Sequence, residues 1–217
     1  MSKTKDIRQA VEDELIFDPL VDATDITVKN IDGDVALNGT VPSYPQYLEA
    51  ADAARRVFGV NKVHNHLEVV LAPGNYRDDA ALEAAANNAL FLDVTVPVGV
   101  TAKAHDGNIT LTGAVRYGSQ RLAAADAVTG LIGVRNVHNK IKVESQADPV
   151  DVAVSVQDAL DRYSLIPDDS DVLIDTDKNT VTLMGHVRTW AEHDAVVSAA
   201  WMADGVYDIR DDLYVSG

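Results

Sequence analysis

Apolar and polar positions along this chain follow a pattern that comes round three times. The period-two run Val35-x-Leu37-x-Gly39-x-Val41 returns as Ile109-x-Leu111-x-Gly113-x-Val115 and again as Val181-x-Leu183-x-Gly185-x-Val187, at offsets of 74 and 72 residues. The same offsets link Phe17, Phe91 and Tyr163; Ile26, Val100 and Val172; Gly59, Gly133 and Gly205; and Leu67, Ile141 and Leu213. Register kept over that length marks an internal repeat, each copy spanning roughly 65–70 residues.

Within a copy the periodicity changes in a fixed order. Stretches near residues 4–16, 78–90 and 150–162 have helical composition or an apolar stripe. A hairpin follows, turning at Asp32-Gly33-Asp34, Asp106-Gly107-Asn108 or Asp177-Lys178-Asn179. Ser43-x-x-Gln46 and Thr189-x-x-Glu192 read as capping boxes opening a second helix, with Pro45 suited to its first turn. That helix is expected to end at Gly59-Val60, Gly133-Val134 or Gly205-Val206. A last strand alternates as Val63-x-Asn65-x-Leu67-x-Val69, Val137-x-Asn139-x-Ile141-x-Val143 and Ile209-x-Asp211-x-Leu213-x-Val215.

The order αββαβ predicts an α+β fold of three tandem units, each a small mixed sheet with both helices on one face. The opposite face is then polar or covered by a neighbour. Breaker residues at Ala72-Pro73-Gly74-Asn75-Tyr76-Arg77 and Ser145-Gln146-Ala147-Asp148-Pro149 divide the chain into 1–71, 79–144 and 151–217. Units this small are marginal alone, so they are expected to pack into a compact array.

Composition narrows the function. With 18 basic and 34 acidic residues the net charge is −16, which opposes a sequence-independent grip on nucleic acid. There is no cysteine, hence no disulfide, thiolate nucleophile or Cys-ligated metal. No stretch has the length of a membrane-spanning helix, and the charged opening lacks the apolar core of a signal peptide, so a cytoplasmic location is expected, or an envelope one if an upstream segment exists. The charge is uneven: residues 6–71 carry −7 and residues 151–217 carry −10, while residues 79–144 are neutral.

Candidate chemistry is sparse. His64 and His66 share one strand face, but their register partners are His138 with Lys140 and Arg210 with Asp212, so exposed strand histidines are expected in place of a metal site. His105, His186 and His193 form no local constellation. Asp175-x-Asp177-x-Asn179 imitates half of an EF-hand loop, yet Thr180 and His186 stand where glycine and glutamate are needed. The Asp168-Asp169-Ser170-Asp171 cluster is a site of weak cation attraction at most. No nucleophile with a base, phosphate loop or repeated carboxylate pair is present, so no enzyme, cofactor or metal is expected. Asn65 and Asn139, in phase with the apolar face, are expected to bond nearby backbone.

The repeat resembles the BON domain, the bacterial OsmY and nodulation module. The likeness lies in the apolar-x-Leu-x-Gly-x-Val strand, the Ala-rich second helix and the ending Gly59-Val60-Asn61-Lys62-Val63-His64-Asn65-His66-Leu67, repeated as Gly133-Val134-Arg135-Asn136-Val137-His138-Asn139-Lys140-Ile141. In the third copy Asp211 replaces the asparagine. The resemblance implies a non-enzymatic binding module of the kind associated with envelope phospholipids, osmotic stress, chaperoning and, in some relatives, potassium. It transfers no site residues.

One segment breaks the symmetry. Phe91-Leu92-Asp93-Val94-Thr95-Val96-Pro97-Val98-Gly99 replaces the polar Asp22-Ala23-Thr24-Asp25 and Asp168-Asp169-Ser170-Asp171 of the other copies. If exposed, Leu92, Val94, Val96, Pro97 and Val98 form an apolar patch for acyl chains or a protein, with Arg116 and Arg121 available to an anionic group; otherwise the segment packs between units or adds an edge strand. The main expectation is a stress-related protein contacting phospholipid or a protein partner through its central unit. The alternatives are a potassium- or calcium-responsive protein and an OsmY-like chaperone or assembly factor.

Overall fold

The computed structural model describes residues 3–144, 149–163, 171–177 and 179–215. The first unit runs α1 (Lys3–Phe17), β1 (Ile26–Ile31), β2 (Asp34–Val41), α2 (Tyr44–Arg55) and β3 (Lys62–Val69). The second runs α3 (Asp79–Leu92), β4 (Thr101–His105), β5 (Asn108–Thr112), β6 (Ala114–Val115), α4 (Gly118–Thr129), β7 (Asn136–Asn139) and β8 (Lys142–Val143). The third has α5 (Pro149–Asp161), β9 (Asp171–Asp177), β10 (Thr180–Val187), α6 (Trp190–Met202) and β11 (Asp208–Val215).

Each unit has the expected mixed sheet. In the first, β2 is central, antiparallel to β1 and parallel to β3, and the third repeats this with β10 between β9 and β11. Alternation sends Val35, Leu37, Val41 and Leu67 inward against Val11 and Leu15 of α1 and Ala50, Ala53 and Ala54 of α2. Alanine's small side chain lets α2 approach the sheet closely. The outer face of the first unit carries Thr27, Lys29, His66 and Glu68 beside the exposed Ile31, and α4 packs against α6 where the second and third units meet.

The motif glycines have a backbone reason. Gly39, Gly113 and Gly185 have φ of +126°, +141° and +114°, and a Cβ on them would lie 1.8, 2.7 and 2.0 Å from the carbonyl oxygens of Asp25, Gly99 and Asp171. No L side chain fits there. The hairpin pairs Asp32-Gly33 and Asp106-Gly107 have positive φ throughout, as a two-residue turn matched to strand twist requires.

Two local expectations are corrected. The second helices stop at Arg55, Thr129 and Met202, before Gly59, Gly133 and Gly205. In the first two units the glycine instead serves a tight turn closed by Val60 N donating to Val57 O at 3.2 Å and Val134 N to Leu131 O at 3.3 Å. Ser43 and Thr189 do cap, accepting from Gln46 N at 3.4 Å and Glu192 N at 3.1 Å. The boxes do not close on themselves: Gln46 Oε1 accepts from Asp22 N at 2.8 Å and Glu192 Oε2 from Arg188 N at 2.9 Å. Those side chains tie down the preceding loop and strand. The Ser145–Asp148 boundary and most of the Asp168–Asp171 cluster lie outside the described residues, while Pro73–Asn75 forms a single 3-10 turn.

The units close head to tail. Tyr44 of the first enters the core of the second, joined by Tyr47. Gly118 of the second lies against Trp201 of the third, where Arg121 stacks on the indole at 5.3 Å. Trp190 of the third donates Nε1–H to Val60 O of the first at 3.0 Å and carries Arg55 on its face at 4.9 Å. Tyr44, Gly118 and Trp190 occupy one repeat position, and Arg55 and Trp201 share another. A heterologous contact that returns to its start makes a ring, here a pseudo-threefold ring within one chain.

Candidate functional site

The apolar segment of the central unit leaves α3 at Leu92 and is shaped by Asp93. Asp93 Oδ1 accepts from Thr95 N at 2.8 Å and from Thr95 Oγ1 at 2.6 Å, and these bonds hold its carboxyl below the ordinary aspartate range. Val96 N then donates to Asp93 O at 3.1 Å and Val100 N to Pro97 O at 3.4 Å. The result is two short turns in succession, with no edge strand added.

Those turns sort the side chains. Val94 and Val98 are fully exposed at 98% and 103%, and Phe91 and Leu92 are exposed beside them in sequence. Val96 is 9% exposed and packs into the central core, and Pro97 is half-buried, so the five predicted residues do not all share one surface. The inward Val96 anchors the tip that carries Val94 and Val98.

Arg116 and Arg121 turn to other work. Arg116 Nη2 lies 3.7 Å from Asp204, with its guanidinium over Tyr117 at 5.1 Å. Arg121 Nη1 lies 3.7 Å from Asp208 and its guanidinium stacks on Trp201. Both face acidic groups of the third unit. The charge near the foot of the tip is acidic: burial, and then the field of Asp93, raise the carboxyl of Asp126.

The equivalent end of the first unit also exposes Ile16, Phe17 and Leu20. Asp18, buried among them in sequence, accepts from Leu20 N at 2.8 Å and pairs with Arg56, which also reaches Glu14 at 3.0 Å and Glu49 at 2.9 Å. The backbone bond and the cation hold Asp18 below its ordinary range.

The histidines divide. His64 and His66 stack in parallel on the outer sheet face, ring centres 6.3 Å apart. Among the described residues, the group with metal-ligating atoms within 4.8 Å of one another is Asp79, His105 and Asp106. Sequence reasoning missed this juxtaposition, because α3 and the β4–β5 turn meet only in the fold. Asp79 already accepts from Asp106 N at 3.0 Å and Gly107 N at 3.2 Å, so it splints the hairpin.

The strand asparagines act as interior clamps. Asn65 Nδ2 donates to Tyr47 O at 2.6 Å while its Oδ1 accepts from Leu67 N at 3.2 Å; Asn139 repeats this with Arg121 O at 2.7 Å and Ile141 N at 3.2 Å. Asp211 keeps the second bond, to Leu213 N at 3.2 Å, but a carboxylate cannot donate the first. His193 stands at the position of Tyr47 and Arg121, and its Nε2 meets Asp211 Oδ2 at 2.8 Å while Nδ1 meets Asp194 Oδ1 at 3.0 Å. Burial works against its charge, yet the two carboxylates outweigh it and push the pKa up to about 9.

Helices on one face of a mixed sheet, repeated thrice around a pseudo-threefold axis with an exposed apolar tip, define a multi-domain array of small α+β modules. The chain belongs to the BON domain family, whose model matches residues 3–70, 78–145 and 148–217. It is similar to the "Osmotically-inducible protein Y" of Escherichia coli (strain K12), 31% identical over 149 residues that span 64% of this chain and 74% of that one. Among solved structures it is similar to CdsD, a structural protein of the type III secretion system of Chlamydia trachomatis, 14% identical over 97% of this chain and 92% of that one; the TM-score of 0.27 is too low to bear on fold or function. No helix of the described residues is long and apolar enough to cross a membrane.

Proposed function

We propose that this protein is a non-enzymatic binding protein of osmotic or envelope stress, and that its central unit contacts phospholipid through the tip carrying Leu92, Val94 and Val98. The observation that carries the reading is the complete exposure of Val94 and Val98 on the neutral unit of an otherwise acidic ring. Branched side chains held fully in water on a splinted turn gain by entering an apolar phase, at about 25 cal/mol per Å² removed from water. With Arg116 and Arg121 committed to the third unit and Asp93 and Asp126 near the tip, attraction to anionic headgroups contributes little. The stress setting is taken from the likeness to the osmotically inducible relative.

Flotation of the full chain with phosphatidylcholine vesicles, with and without an anionic lipid, tests the reading. The expected outcome is co-flotation with both, lost in Val94→Asp/Val98→Asp. Absence of flotation in either mixture removes the lipid reading and leaves a protein partner as the occupant of the tip.

A further inference from the structure

The three seams of the ring are not equally secured. Unit one is joined to unit two, and unit two to unit three, by short stretches of chain, while no linker joins unit one to unit three. Among the described residues that seam includes the Trp190–Val60 hydrogen bond and the stacking of Arg55 on the Trp190 ring; Asp52 holds Arg55 Nη1 at 3.0 Å, and Arg55 Nε is buried without a hydrogen-bond partner. Behind Trp190, in edge contact at 4.8 Å, lies His193. The ionic clamp of the third unit therefore buttresses the one seam that no linker holds.

The clamp's geometry fixes its protonation. Asp194 and Asp211 offer only acceptor oxygens to the two ring nitrogens of His193, so both nitrogens must carry protons. A neutral imidazole donates to one carboxylate and turns a lone pair toward the other. The other charges around the clamp are, from α2, Arg55, close enough to hold Asp211 down, with Asp52 and Arg56, which line the same cleft as Asp194, and on its own helix Glu192, which is buried and engaged by Arg188. Units one and two have uncharged amide clamps at Asn65 and Asn139, which do not titrate.

We propose that the seam between units one and three is the joint at which the ring opens, and that the proton His193 holds between Asp194 and Asp211 keeps it shut. When the proton leaves, two carboxylates lose their shared cation. Arg55, whose charge already acts on Asp211, is placed to answer it, and in turning toward it Arg55 leaves Asp52 and the face of Trp190. The seam then loses its stacked cation and keeps the Trp190–Val60 hydrogen bond. The elevated affinity of His193 for its proton places this opening in the alkaline range, near pH 9.

Because the chain has no cysteine, introduced pairs are the sole spin-label sites. Labels at Glu68→Cys and Asp212→Cys, on the outer sheet faces of units one and three, report on the joint; Glu68→Cys with His138→Cys reports on the linked seam between units one and two. Between pH 7 and pH 10 the first distance distribution is expected to lengthen and broaden with a midpoint near 9, while the second holds. His193→Tyr with Asp211→Asn, which copies the Tyr47 and Asn65 pair, is expected to abolish the transition. An unchanged first distance up to pH 10, both distances moving together, or the same transition in the double variant overturns the proposal.

Discussion

Gly118, at the first turn of α4, lies flat against the indole of Trp201: a Cβ added to it would sit 2.2 Å from Cε3 and 2.9 Å from the Trp201 carbonyl oxygen. At the same repeat position the first unit has Tyr44 and the third Trp190, and opposite Trp190 stands Arg55, the counterpart of Trp201. The slot is thus filled from one side at one seam and from the other side at the next.

Gly118→Ala is therefore expected to destabilise the protein by about 1–3 kcal/mol, because the added methyl forces ring and backbone apart. In a Trp201→Leu background the same substitution is expected to cost at least about 1 kcal/mol less, a coupling readable from a double-mutant cycle in urea. Equal costs in both backgrounds would show that Trp201 is not what limits the space.

The strand glycines make a sharper case. Gly39→Ala places a Cβ 1.8 Å from the Asp25 oxygen at a φ of +126°, so a loss of more than about 2 kcal/mol is expected. Gly130, with φ −84° and nothing within 4 Å, supplies the comparison: Gly130→Ala is expected to stay within about 0.5 kcal/mol. Thermal unfolding of the two variants beside the parent checks both.

Much of this architecture was legible in the sequence because the repeat supplied three readings of each position. Alternation placed Val35, Ile109 and Val181 in the cores, and the recurring glycines announced backbone that no side chain tolerates. The seams were not legible, since Tyr44, Gly118 and Trp190 share a position but not a chemistry, and periodicity registers only what recurs. The Asp211 and His193 pair left a signal that periodicity also passes over: two departures from the repeat that make sense only together. Within the apolar segment, sequence marked the five residues but not their directions, because the turn set by Asp93 and Thr95 sends Val96 inward between exposed neighbours.

That paired departure can be rebuilt elsewhere. Asn65→Asp removes the donor to Tyr47 O and sets a carboxylate against a carbonyl, at an expected cost of about 1–3 kcal/mol. Tyr47→His alone loses the stacking on Tyr44, whose ring lies 5.7 Å away. Together they recreate the ionic clamp, so the double variant is expected to be more stable than the sum of the single losses by at least about 1 kcal/mol. Additive losses in urea unfolding would mean that the third unit's pair depends on surroundings the first unit lacks.

The ionic clamp also gives the protein a signed dependence of stability on pH. His193 is raised from an ordinary 6.5 to about 9, so the folded state binds its proton more tightly than the unfolded chain does. Its contribution is complete below about pH 6.5 and disappears as pH rises through 9; the shift corresponds to something on the order of 3 kcal/mol. Asp211 is shifted the opposite way: burial works against its charge, but His193 outweighs it and holds the carboxyl low, so that contribution is present above pH 3.8 and is lost in acid. Urea unfolding of the parent is expected to show a steady loss between pH 6.5 and 9, whereas His193→Gln should start lower and stay level across that window. A parallel decline in both proteins would place the titrating group elsewhere and remove the proton from the clamp.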